Sequence, residues 1–488
     1  MNYETETYVL GIDLGTQGVR CIVCDLQGNI QAEGRESLDL PPRQGEYFEQ
    51  DPYRWWEKTF SALRLTVNIL RKEGKNPKRV RFLSCDSTSG TVIPCGEGGK
   101  VLHPAIMYND ARAKKQADRV NESAQEFTAH AGYRFEPSFA LCKVVWLQEN
   151  MPEIYHKTRF FLHAADWLVG KLTGIWGYTD ISNVLKMGYD LAHKCWPSFI
   201  ENTLGISQHK LPSVVNSGQE IGKLLPEVAN ETGLEPHIGV VAGATDGTAA
   251  FYASGASLPG DVSAALGTTL VVRSVSHNLV RDERGRVYCH RHPEGWWLPG
   301  GASNTGGECL LRFFPGEDYP VMDDQASSRP LPSDIVVYPI GGRGERLPFA
   351  SPHAEFFQLG KEKDRLELYT GCLEGVAYLE RYSYELLAQL GATPITRVYT
   401  SGSGALSTLW CRIRASVLER PLMVPATIEA AMGSCILAAS GTLGGVGKAC
   451  RSMVRQKTVI EPEPDVAPAY RERYHKFLDA CRDRGYID

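Results

Sequence analysis

The chain carries the same hairpin twice. Leu14-Gly15-Thr16-x-x-Val19 returns as Leu266-Gly267-Thr268-x-x-Val271, with Leu, Gly, Thr and Val in register about 250 residues further on. Each copy follows a short strand-like segment, Tyr8-Val9-Leu10-Gly11-Ile12-Asp13 or Gly260-Asp261-Val262-Ser263-Ala264-Ala265. Strand, Gly-containing turn and returning strand is the pattern of a β-hairpin. At 488 residues the chain is also too long for one core, and two domains of roughly 200–250 residues are the natural division. The repeat therefore predicts two related α/β domains, residues 5–253 and 254–488, each opening on this hairpin. Backbone N–H groups in such a turn can cradle phosphate oxygens, and the threonine hydroxyl adds a donor. An ordinary hairpin turn needs no ligand, so it is the pairing that makes the signal specific.

The other polar punctuation falls where apolar runs stop. Val240 to Ala244 is apolar and small, and Thr245-Asp246-Gly247 follows before the helical Ala-Ala-Phe-Tyr-Ala run. A carboxylate on such a turn is either an N-cap for the helix or a rigidly held general base. Asp13 ends the first strand, where it could hold a hydrated Mg²⁺ or simply close a hairpin. Val80 to Cys85 ends in Asp86-Ser87-Thr88-Ser89-Gly90-Thr91, a hydroxyl cluster suited to a polyhydroxylated ligand and equally to a plain turn. Asn109, Asp110 and Arg112 sit at a strand-to-helix junction, with capping and a local ion pair as the alternative. Asp180 to Asp190 reads as an irregular polar wall. Gly295 to Gly307 opens a helix through Leu310, Leu311 and Phe313, and Thr400-Ser401-Gly402-Ser403-Gly404-Ala405 turns from a strand into another; both suit a phosphate or nucleoside. Helices are expected over 114–150 and 152–175, over Leu366–Leu390 and Trp410–Leu418, over the small-residue stretch Thr427–Ala439, and over Tyr470–Arg484.

Composition removes several classes. With 52 Lys and Arg against 57 Asp and Glu the net charge is −5, and no basic cluster dominates, so nucleic acid is not an expected partner. No run of 18 apolar residues occurs, and acidic residues 4 and 6 interrupt any leader, so neither a membrane nor a targeting signal is expected. Thirteen scattered cysteines read as reduced thiols of a cytoplasmic protein. The CxxC of Cys21 and Cys24 lies in a strand pattern that points the two thiols to opposite faces. Cys289-His290-Arg291-His292 has no second pair nearby and reads as strand alternation rather than a metal site.

Taken in order, Asp13-x-Gly15-Thr16, Asn109-Asp110-x-Arg112, Gly243-Ala244-Thr245-Asp246-Gly247, Leu266-Gly267-Thr268-Thr269 and Ser401-Gly402-Ser403-Gly404-Ala405 resemble the FGGY family of carbohydrate kinases across essentially the whole chain. The resemblance implies two ribonuclease-H-like domains of the actin, hexokinase and Hsp70 ATPase type, facing each other across a catalytic cleft. Asp86 to Thr91, His163 to Leu168, Leu185 to Asp190, Gly301 to Gly307 and Arg343 to Arg346 look closer still to its D-ribulose kinase subgroup. Xylulose kinases usually carry Gln-Met-His-Gly where this chain has Asp86 to Thr91. The implied activity is ATP-dependent phosphorylation of a ketopentose at its terminal hydroxyl, with D-ribulose as substrate. Another sugar or polyol, such as D-xylulose or glycerol, and a non-kinase ATPase or phosphohydrolase are the alternatives; a chaperone or filament protein shares the fold.

By the same resemblance Asp246 is the catalytic base, and Asp13, Asp86, Ser89 and Asp246 contact the sugar. Asp13 and Asp246 hold Mg²⁺. Gly15, Thr16, Gln17, Gly267, Thr268, Thr269, Gly306, Gly404 and Ala405 bind ATP. The adenosine motif departs from the family pattern at Leu406-Ser407, where an Asn is usual. Partners are a small-molecule sugar and a nucleotide, with a monomer or homodimer as the assembly.

Overall fold

The computed structural model describes residues 7–40 and 45–487. Positions 4 and 6, read above for targeting, and residues 5 and 6 of the expected first domain lie outside them. The chain forms two compact units. One runs up to Ala253 and adds His290–Gly295 and Glu429–Val454; the other comprises Ser254–Cys289, Trp296–Ile428 and the chain from Arg455.

In the N-terminal unit six strands lie in the spatial order Ile30–Ser37, Gly18–Asp25, Tyr8–Gly15, Val80–Ser87, Gly239–Thr245, Glu220–Lys223. The first three form an antiparallel meander, two parallel strands follow, and Glu220–Lys223 closes the edge antiparallel. The inner strands are covered on both faces, so Gly239–Thr245 is buried throughout and shows no alternation. One face takes the helix Pro52–Lys72. Asp51 caps it by accepting from the Tyr53 N–H, proline stands in its first turn, and Trp55, Thr59, Ala62, Leu63, Thr66, Val67 and Leu70 form its buried stripe. The other face takes the small-residue helix, observed over Ala430–Leu443. Small residues are needed there: a Cβ on Gly11 would lie 2.0 Å from the Ala431 carbonyl oxygen, and one on Gly433 1.9 Å from that of Ala249. Gly433 thus lets this helix reach the helix Asp246–Ala253.

The C-terminal unit repeats the plan. Six consecutive strands of its sheet are Trp297–Ala302, Leu270–Ser274, Asp261–Leu266, Arg397–Ser401, Leu422–Pro425 and Gln456–Ile460. Again an antiparallel meander is followed by two parallel strands and an antiparallel edge. The helices Arg365–Gln389 and Thr408–Leu418 are joined by a fully buried pair, Glu380 with Arg414, whose guanidinium also donates to the Thr400 hydroxyl. A lone charge at either position would carry a large desolvation penalty; the fork geometry and the extra donor offset it.

The expected helical stretches 114–150 and 152–175 resolve into Lys114–Ser123, Gln125–Ala131, Ala140–Asn150, Pro152–Lys157 and Ala164–Thr173. Phe160–Leu162 is instead a strand, paired with Ile93–Cys95. Three residues are too few to show a period. Cys21 and Cys24 are buried in their strand, none of the thirteen cysteines forms a disulfide, and only Cys195 is exposed. Among the described residues no single helix is long and apolar enough to cross a membrane.

Candidate active site

Three carboxylates meet at the carboxyl ends of three adjacent parallel strands in the N-terminal unit. Asp13 and Asp86 are register partners, Ala244 pairs with Asp86 on its other side, and Asp246 follows Thr245 at that strand's end. Open α/β sheets bind ligands at such ends. Asp86 is fully buried, and its Oδ2 accepts from the Ser434 hydroxyl at 2.6 Å. Burial first, then the neighbouring Asp13 charge, push its carboxyl well above the usual range. Asp13 is raised as well, by burial, while its hydrogen bond from Asp86 and the Arg20 charge pull the other way. These directions fit one proton held on Asp86 and donated to an ionised Asp13. That proton also answers for Asp86 Oδ1, which has no other hydrogen-bond partner among the described residues. Asp86, expected as a sugar contact, is thus a fully buried acid coupled to Asp13.

Asp246 could have been only a helix cap. Thr245 also serves the helix start: the Thr248 N–H donates to Thr245 Oγ1 at 3.3 Å, and the two hydroxyls bond at 2.9 Å. Thr245 is itself held by Ser182, whose hydroxyl donates to Asp180. Half-buried, Asp246 accepts from the N–H of exposed Gly247 at 2.6 Å, and its charge is felt at both Asp13 and Asp86.

The first hairpin closes between Gly15 and Gly18, leaving Thr16 and Gln17 as its loop. Gln50, fixed by Trp55, donates to the Thr16 carbonyl. A pocket of about 570 Å³ opens here, lined by Asp13, Gly15, Thr16 and Gln17 together with Arg20 and Tyr108. Arg20 is paired with Glu33 and Glu429. A larger groove of about 650 Å³, lined by Tyr47, Glu49, Arg54 and Trp55, contains none of the three acids.

Of the hydroxyl cluster, Ser87 accepts from the Ala165 N–H, and Thr88 and Thr91 bond each other. Half-buried Ser89 takes no part in these bonds and stands at the Gly90 turn. That turn is anchored by buried Lys143, whose ammonium donates to the carbonyls of Gly90 (2.8 Å), Met107 (2.6 Å) and Ser138 (3.0 Å), and whose pKa burial pushes down to about 7. Asp110 and Arg112 form a bidentate pair, with Arg112 also on Glu49 and over the Tyr47 ring, and Asp110 accepting from the Phe48 N–H. They knit residues 46–49 to the junction at 107–112, the structural alternative weighed for them.

In the C-terminal unit the glycine-rich segments converge on one strand end. The second hairpin closes between Leu266 and Leu270, so its loop Gly267-Thr268-Thr269 is one residue longer than the first. Gly307 and Glu308 donate backbone N–H groups to the carbonyls of Gly267 and Thr268. A Cβ on Gly306 would come within 2.5 Å of Thr269 backbone, and one on Gly404 within 2.5 Å of the Leu266 side chain. Gly402, at φ 81°, lies against the Leu266 backbone, and Ala405 follows half-buried. Gly267, Thr268, Thr269, Gly306, Gly404 and Ala405 are thus neighbours in space.

Sequence reasoning missed what holds this cradle. Buried Glu345 accepts from the Ser303, Thr305 and Tyr338 hydroxyls and from the Asn304 and Arg346 N–H groups. Arg343 to Arg346 stood out only by resemblance; no local pattern marks a carboxylate 40 to 42 residues from Ser303, Asn304 and Thr305.

The sequence profiles of the FGGY family of carbohydrate kinases match residues 8–252 (N-terminal domain) and 262–442 (C-terminal domain). The chain belongs to this family and is a sugar kinase. It is 27% identical to a xylulose kinase of Bacillus subtilis (strain 168), over 95% of this chain and 94% of that protein, and 26% identical to a gluconokinase of the same organism over 98% and 96%. Its fold matches the crystal structure of a xyloylose kinase from Brucella ovis with a TM-score of 0.89 at 25% identity, covering 99% of this chain and all of that one.

Proposed function

We propose that this sugar kinase transfers the γ-phosphoryl group of ATP to the terminal hydroxyl of a ketopentose, converting D-ribulose to D-ribulose 5-phosphate. The observation that carries the reaction is Asp246: a half-buried carboxylate at a parallel strand's end and beside a second acid. Phosphoryl transfer asks for positioning and charge stabilisation more than covalent chemistry. Asp246 accepts the hydroxyl proton as the sugar oxygen bonds to phosphorus and the bond to the ADP oxygen breaks. Asp13 and Asp246 suit Mg²⁺, being hard oxygen donors whose mutual repulsion a dication relieves; the ion would supply charge neutralisation on the phosphates. Ser89 contacts the sugar, and Asp86 keeps Asp13 ionised and oriented. Gly15, Thr16 and Gln17 on one unit, and Gly267, Thr268 and Thr269 on the other, offer backbone N–H and hydroxyl donors to phosphate oxygens. Gly306, Gly404 and Ala405 accept the nucleoside.

The choice of D-ribulose rests on Asp86 to Thr91 standing where xylulose kinases usually carry Gln-Met-His-Gly. The names of the relatives favour a second reading, D-xylulose. ADP release measured against D-ribulose, D-xylulose, gluconate and glycerol separates the two. The highest kcat/KM is expected with D-ribulose. A preference for any other sugar would overturn the substrate and leave the kinase; sugar-independent ADP release would point to a hydrolase.

A further inference from the structure

Away from the three acids, the N-terminal unit carries a cluster that the kinase reading does not use. His130 lies in the last turn of the helix Gln125–Ala131; Asp190 and His193 lie in a tight turn closed by backbone pairing of Asp190 with Cys195. The two imidazoles stack with centroids 4.8 Å apart and planes 23° from parallel. Both address the same carboxylate oxygen: Asp190 Oδ2 accepts from His193 Nδ1 at 2.8 Å and lies 3.9 Å from His130 Nε2. The other oxygen, Oδ1, is fixed by the N–H groups of Ala192 and His193. One ligand atom from each residue lies within 4.8 Å of the others.

We propose that His130, Asp190 and His193 bind a divalent transition-metal ion of the zinc class. Two imidazole nitrogens and one carboxylate oxygen are the donors such ions prefer, at about 2.0–2.2 Å, and three protein ligands leave a fourth position to water. An ion pair with Asp190 needs only one histidine; the second, stacked beside it, completes a ligand set. His193 is 65% exposed in its side chain, so its ring has room to turn from hydrogen bond to metal bond. The backbone bonds to Oδ1 hold the carboxylate in place while it does so. The bound ion joins the helix to a turn far along the chain, next to the polar wall ending at Asp190.

The test is zinc titration of the full chain after EDTA treatment, followed by calorimetry, with Co²⁺ as a visible-absorption probe of the ligand field. One equivalent is expected to bind, with a rise in Tm that grows with free metal. His193→Ala and His130→Ala should each weaken binding at least about tenfold, since even outer partners of metal ligands are worth 10- to 100-fold, and Cys195→Ser should leave it intact. His193 is exposed enough that its variant keeps the fold, which circular dichroism checks. No stoichiometric uptake by the wild type, uptake unchanged in both histidine variants, or loss with Cys195→Ser alone would overturn the site.

Discussion

The two sheets have the same order of directions, yet their strand ends carry opposite chemistry. In the N-terminal unit Asp13 is paired in register with Asp86; in the C-terminal unit the corresponding positions are Ala265 and Ser401. One unit thus collects carboxylates where a cation and a sugar hydroxyl would be handled. The other excludes them and presents glycine backbone, held by Glu345 from behind, where an anion would be held. The two units share the scaffold, and they differ in a few side chains at strand ends.

The largest expected effect removes the acid side of this contrast. Asp246→Asn keeps an acceptor for the Gly247 N–H and loses the base. A fall in kcat of about 10²–10⁴-fold is expected, the usual range for a positioned acid or base, with the KM for ATP little changed. Steady-state kinetics with the preferred sugar measure it. A variant retaining near-normal kcat would remove Asp246 from the chemistry.

The next change adds an acid to the unit that lacks one. Ala265 is half-buried at the position matching Asp13. Ala265→Asp should raise the KM for ATP about tenfold, equivalent to about 1.4 kcal/mol, with a smaller change in the KM for sugar. The reverse pattern, sugar affinity lost and ATP affinity kept, would mean that the C-terminal strand ends do not serve the nucleotide.

What could be read from the chain alone follows the range over which each signal acts. Hairpins, strand ends and the Asp246 turn are local, so residue type and spacing reveal them. The shared turn was legible, but not that the second loop is one residue longer, which pairs Val19 with Leu14 and Val271 with Ala265. Small residues marked Thr427–Ala439 as a helix that packs closely, yet nothing local says against what; the close approaches at Gly11 on the sheet and at Gly433 to Ala249 decide that in three dimensions. Lys143 reads as an ordinary helical lysine, and its three carbonyl partners come from separate segments. Asp86 was visible as an acid at a strand end. Its hydrogen bond comes from Ser434, 348 positions away.

The smallest expected effect compares buried acids, one from each unit. Asp86 faces another carboxylate; Glu374, fully buried in the C-terminal unit, accepts from neutral donors, the Ser333 N–H and hydroxyl and the Tyr470 hydroxyl, with the Arg473 charge as a lesser influence. Burial nevertheless dominates, and the Glu374 carboxyl is pushed up to about 7. Because the folded value lies above the ordinary 4.5, its contribution to stability is fully present below pH 4.5 and is lost as pH rises through about 7. Glu374→Gln cannot ionise and should flatten this fall. At pH 5 the variant should be less stable by about 1 kcal/mol, the worth of one imperfectly replaced hydrogen bond, and the gap should close or reverse by pH 8. Hydrogen exchange along Arg365–Gln389 reports the unit that holds Glu374. A gap that stays constant from pH 5 to pH 8 would show that its three neutral donors, rather than burial, set its charge, and would make the two acids alike in kind.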